Sequence, residues 1–194
     1  MFGVEKVLIK RCIEIYEKQG KKIHNRKIDI NTYEGASDSV IVEGILHDVR
    51  LVETYRPTGD KHPPGTVHHM IIRMEIKGPK LIIEDIEVEM PTIPYEACLE
   101  TLNTLNQLKG MPIVAGFTAK VKNLVGGRKG CCHLLSLLTA MAPAAVQGAW
   151  STVIQKPVEK EMYLDMAFNR VKNTCWVWRE DGPLIKEWRE KADH

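Results

Sequence analysis

The chain has 194 residues, with 27 Lys and Arg against 25 Asp and Glu, a net charge of +2. That balance excludes strong electrostatic attraction to nucleic acid or an anionic membrane. A 44% hydrophobic and 27% charged composition is that of an ordinary globular domain able to bury its own core.

In chain order, residues 5–16 read as a strand, because the alternation at Ile13 and Ile15 continues into Ile28, Ile30 and Thr32. Gly35-Ala36-Ser37 is a break. Ser39 to Tyr55 reads as one long strand with Val40, Val42, Gly44 and Leu46 on one face. The Pro- and Gly-rich stretch 56–65 is a loop. Val67 to Ile76 is a further strand, with His68, Met70, Ile72 and Met74 on one face and His69, Ile71, Arg73 and Glu75 on the other. Gly78-Pro79 turns the chain into the alternating run Leu81 to Met90. The expectation is an antiparallel meander of about four or five strands.

The pattern then changes. Pro94 opens a helix through Leu99, Leu102, Leu105 and Leu108, and Gly110 ends it. After a short segment, Ile113 to Val121, three glycines within five residues (Gly126, Gly127 and Gly130) form a flexible loop. Cys131, Cys132 and His133 follow at once, where an apolar helical run begins with Leu134, Leu135, Leu137, Leu138 and Met141. Pro143 is expected to kink or restart that helix, which continues to Trp150. A helix from about Val158 to Val171, a segment 173–178 that reads as strand or docked tail, and a short charged helix from Pro183 to Ala192 complete the chain.

The chemistry collects around the glycine loop. A helix N-terminus beside Arg128 and Lys129 favours a thiolate at Cys131. Cys98 begins the preceding helix, and His68 begins the third clear strand. A strand start and two helix starts can converge at one end of a sheet, where loops collect function. Thiolates and imidazoles suit Zn²⁺ or Fe, more as a single ion than a cluster. The expected ligands are His68, Cys98, Cys131 and His133, with Cys175 in reserve. No CxxC pair is present to sharpen the spacing. Cys12 and Cys132 read as small buried hydrophobes, and His24, His47, His62 and His194 as ordinary hydrogen-bonded residues. Cys131 is also a candidate nucleophile. Asp48 and Arg50 are candidate polar groups beside it, or simply a surface ion pair.

No apolar run approaches transmembrane length, and Met-Phe-Gly-Val-Glu-Lys lacks the apolar stretch of a secretory signal. The expectation is therefore a cytoplasmic protein whose five cysteines stay reduced.

Two resemblances bear on these readings. The residues Pro94-Tyr95-Glu96-Ala97-Cys98, Leu108-Lys109-Gly110, Gly116-Phe117, Gly130-Cys131-Cys132-His133-Leu134 and Ala142-Pro143-Ala144-Ala145-Val146-Gln147 resemble an uncharacterised bacterial family. That family is recognised by a Gly-Cys-x-His-Leu motif and carries the label of a domain of unknown function. The likeness extends from about His47 to Cys175 and implies no activity. The order of parts also resembles the iron–sulphur scaffold proteins of the NifU and SufE type. Val67–Met90 would be their meander, followed by Cys98, Lys109-Gly110 and Arg128-Lys129-Gly130-Cys131. Their earlier ligand would fall near His68, and Ala97-Cys98 replaces their Gly-Cys.

The expectation is an α+β fold, an antiparallel meander covered by helices. It forms a single domain: strands over 1–60, a NifU/SufE-like core over 61–150, and a C-terminal helix and tail over 151–194. The leading function is a Zn or Fe site at one end of the sheet. A metal- or thiol-dependent enzyme on a small organic molecule is one alternative, and a scaffold for cluster or sulphur transfer is the other. Neither nucleic acid nor membrane is an expected partner.

Overall fold

A computed structural model describes residues 19–166, 168 and 171–192. Four antiparallel strands form the main sheet: β1 (His24–Glu34), β2 (Ser39–Arg50), β5 (Gly65–Lys77) and β6 (Ile82–Thr92), in that order. A two-stranded hairpin, β3 (Thr54–Tyr55) with β4 (Lys61–His62), interrupts the meander between β2 and β5. The fold is α+β, as the alternating patterns imply. The β5–β6 hairpin pairs as expected around the turn at Gly78. The expected strand at 5–16 lies outside the described residues.

One face of the sheet carries the core. Val40, Val42 and Leu46 on β2 and Met70, Ile72, Met74 and Ile76 on β5 are all buried there, because alternate residues share a face. The long helix α2 (Cys132–Val153) lies across β2, β1 and β5 and contributes Leu134, Leu137, Leu138, Met141, Ala142 and Ala145. Two glycines let it approach. A Cβ at Gly44 of β2 would stand 2.5 Å from the Met141 sulphur, and one at Gly148 of α2 would stand 2.0 Å from Thr32 Cγ2.

Several expectations need correction. The long strand 39–55 stops at Arg50, after a β-bulge at Asp48/Val49 that leaves Val67 as the extra residue on β5. The run after Pro94 is a 3-10 helix, Glu96–Leu108. Its leucines at 99, 102, 105 and 108 repeat every three residues, which matches a three-residue turn better than 3.6. Leu105 and Leu108 bury, while the Thr101, Thr104 and Gln107 side chains donate to carbonyls three residues back. The segment 113–121 contributes to α1 (Phe117–Val125). Pro143 does not interrupt α2, which runs through it.

The C-terminal elements are α3 (Lys160–Met166) and α4 (Pro183–Ala192). Between them, residues 173–178 form turns and bends rather than a strand. α2 is also, by length and composition alone, apolar enough to cross a membrane, which the run-length reading did not anticipate. Its apolar face is the face that builds the core.

Candidate functional site

Strand register lines up three polar residues at one end of the core face. Arg26 of β1 is paired with Asp48 of β2, and Asp48 with His68 of β5. They share the parity of Val42, Leu46 and Met70, so they point to the helix side of the sheet. The first turn of α2 supplies His133 from above. The bulge lies between Asp48 and Val49, a common position for re-aiming a side chain beside a site.

Asp48 is the centre. Its side chain is 3% exposed. The Arg26 Nε and Nη2 groups donate to Asp48 Oδ1 and Oδ2, both at 2.6 Å. His68 Nδ1 lies 3.2 Å from Oδ2 and His133 Nε2 3.7 Å from the same oxygen. His24 Nε2 lies 3.7 Å from Oδ1. The His68 and His133 rings stack with centroids 3.7 Å apart. Hydrogen bonding from Arg26 holds the Asp48 carboxyl below its ordinary value, against the opposing effect of burial. Burial, followed by the charges of His68 and Arg26, pushes His133 below 6.5, against an upward pull from Asp48. An ionised carboxylate and a neutral imidazole are the forms that bind metals.

The ligand atoms of Asp48, His68 and His133 all lie within 4.8 Å of one another. Bonds of about 2.0–2.2 Å in tetrahedral array space ligand atoms roughly 3.3–3.6 Å apart, and the two imidazole-to-carboxylate separations, 3.2 and 3.7 Å, lie close to that spacing. Arg26 leaves room, because each carboxylate oxygen has two lone pairs. Its charge is balanced by the Asp48 carboxylate it grips. The group opens on a pocket of about 440 Å³ whose wall includes Ile23, Arg50, Val52, Thr54 and Val67.

Cys131 is the N-cap of α2, without a side-chain capping hydrogen bond. Its sulphur lies 3.8 Å from His133 Nδ1, and the Cys132 sulphur 3.6 Å from the same atom. Of the expected ligands, His68 and His133 meet, and Asp48 joins them from the polar candidates. Cys98, Cys131 and Cys175 stand outside that group of three. Cys98 sits in the 3-10 helix that packs on β6, the strand at the far side of β5, and Cys175 is exposed in the C-terminal turns.

Asp48 and Arg50 are not an ion pair: Asp48 pairs with Arg26, and Arg50 reaches His62 and the Pro63 carbonyl. Sequence reasoning missed Arg26 and His24, whose only signal was a polar start to a strand. It also undervalued Cys132, which is exposed beside the imidazole. Cys12 lies outside the described residues.

The model of a family described as a protein of unknown function (DUF2889) matches residues 24–147. This span holds the whole sheet, both helix starts and the Asp48–His68–His133 group. No curated protein and no solved structure matches the chain.

Proposed function

We infer the function of this chain, which belongs to the DUF2889 family, from its own residues: it is a metal-dependent enzyme that binds one Zn²⁺ or Fe²⁺ through Asp48, His68 and His133 and acts on a small organic molecule. The observation that carries this is the convergence of one carboxylate and two imidazoles within 4.8 Å beside an open pocket. Two histidines and a carboxylate are a ligand set for both ions, and three protein ligands leave a position for water or substrate. Bound there, the ion supplies Lewis acidity to a substrate oxygen or to a water molecule. The chain's own part is positional. Arg26 fixes the Asp48 carboxylate, and the stacked rings fix His68 and His133 relative to it.

Elemental analysis of protein purified without a metal-affinity tag tests this reading. One equivalent of zinc or iron is expected in the wild type and a small fraction of that in His68→Ala, with Cys98→Ala unchanged. Equal metal in wild type and His68→Ala contradicts the assignment.

A specific observation supports a second reading, thiol chemistry. His133 stands between sulphur and carboxylate, with Nδ1 facing Cys131 and Cys132 and Nε2 facing Asp48. That is the order of nucleophile, base and orienting acid. The likeness to the NifU and SufE scaffolds, and the Gly-Cys-x-His-Leu motif, belong with this reading, since both centre on Cys131. The thiol chemistry needs reduced cysteines and suits a reducing compartment such as the cytoplasm.

A further inference from the structure

Beside the candidate metal group, the β3–β4 hairpin assembles a second constellation. Arg50 at the end of β2 and Arg56 after β3 both aim a guanidinium at the ring of His62 on β4. The Arg50 Nη2 meets Nδ1, and the Arg56 Nη2 lies 2.7 Å from Nε2. Arg50 also donates to the Pro63 carbonyl at 3.1 Å. A neutral imidazole has a single acceptor nitrogen, so one of the two guanidiniums faces an N–H. Among the described residues neither arginine has a carboxylate partner. The nearby acids are engaged elsewhere: Asp60 accepts from Thr58 and Glu53 pairs with Lys61. The Arg50 Nε is buried and has no hydrogen-bond partner, a costly state for a charged donor. Two cations and a polar ring therefore offer more donors than the Pro63 carbonyl and one ring nitrogen receive.

We propose that Arg50, His62 and Arg56 form a seat for the phosphate group of the substrate. This rests on the reading of the adjoining pocket as a substrate site, because Arg50 belongs to both the pocket wall and the basic cluster. A phosphate monoester dianion balances both guanidiniums, whereas a carboxylate balances one, and its several acceptor oxygens can serve donors approaching from different sides. The pocket volume of about 440 Å³ holds a small phosphorylated molecule with its reacting end toward Asp48, His68 and His133. Burial, and then the charges of Arg50 and Arg56, keep His62 below its ordinary value of 6.5, as expected of a ring crowded by cations awaiting an anion.

The probe is inorganic phosphate, titrated into chelator-treated protein while the His62 ring resonances are followed by NMR. Without metal, the result stands apart from the metal reading, which elemental analysis decides. Saturable shifts with a dissociation constant of about 1 mM or below are expected. Arg56→Gln should weaken binding by about tenfold or more, whereas Lys80→Gln, in the turn at the opposite end of the sheet, should leave it unchanged. Acetate should bind at least about tenfold more weakly than phosphate. Unchanged amide spectra establish that Arg56→Gln is folded. The proposal is overturned by non-saturating shifts, by equal weakening in Lys80→Gln, by tight binding retained in Arg56→Gln, or by acetate matching phosphate.

Discussion

Arg26 on β1 grips both carboxylate oxygens of Asp48 on β2, each at 2.6 Å, while the Asp48 side chain is 3% exposed. The pair ties the edge strand to its neighbour at the end of the sheet where His68 and His133 stack. Its removal has consequences for stability as well as for the site. Breaking a fully buried pair by deleting one partner costs about 3–5 kcal/mol. The Arg26 side chain is 39% exposed, so water reaches the orphaned carboxylate, and Arg26→Ala should cost about 1–3 kcal/mol. Adding Asp48→Leu to that variant should restore part of the loss. Urea unfolding of the wild type and the two variants decides it, and an Arg26→Ala cost below about 0.5 kcal/mol contradicts the pair's role.

His133 gives the metal-free protein a pH dependence of definite sign. Its pKa in the folded state is held below 6.5, so the unfolded chain takes up the proton first. Its stabilising contribution is complete above 6.5 and is lost as pH falls from there toward the folded value. With a chelator present, the unfolding midpoint should fall as pH is lowered below 6.5, and His133→Gln should flatten that fall. An identical pH profile in both proteins would show that another group is responsible.

Gly148→Ala separates helix propensity from packing. Propensity alone makes Ala about 1 kcal/mol better than Gly inside a helix. The added methyl would stand 2.0 Å from Thr32 Cγ2 and 2.7 Å from its Cβ, and such overpacking costs about 1–3 kcal/mol. Net destabilisation is expected in thermal unfolding, with partial relief from Thr32→Ser, which removes Cγ2. A stabilised Gly148→Ala would show that α2 does not sit this close to β1.

Thiol reactivity should follow exposure and the neighbouring imidazole. Cys132 is exposed and 3.6 Å from His133 Nδ1, whereas Cys98 is half-buried. Iodoacetamide labelling read by mass spectrometry should modify Cys132 before Cys98. His133→Ala should slow Cys132 and leave Cys98 at its own rate. Equal slowing at both thiols would point to a general change in structure.

The sheet was legible because a buried face imposes a period of two, and Val40, Val42 and Leu46 with Met70, Ile72 and Met74 carry it plainly. The start of α2 was legible from the glycines and the leucine run. The candidate site was half legible. His68 and His133 stood out as ligand types at element starts, but their partner did not. Asp48 sits within an apolar strand, and its neighbours Arg26 and His68 are set by strand register, which a single sequence does not print. Cys98 drew attention by its helix-start position, yet the three-residue leucine repeat lays its segment against β6, with β5 between that strand and Asp48 on β2. The β3–β4 hairpin was not separated out, with β3 taken as the end of the long strand 39–55 and β4 as part of the loop 56–65, because its strands are two residues each, too short for alternation to register.

The central claim is that Asp48, His68 and His133 hold one metal ion. The most direct test is an anomalous difference map from crystals of zinc-loaded protein, recorded on both sides of the zinc edge. The account predicts a single strong peak with Asp48 oxygen, His68 nitrogen and His133 nitrogen all at about 2.0–2.2 Å. A peak centred instead on Cys98, Cys131 or Cys175, or no peak between the two imidazoles, would contradict it.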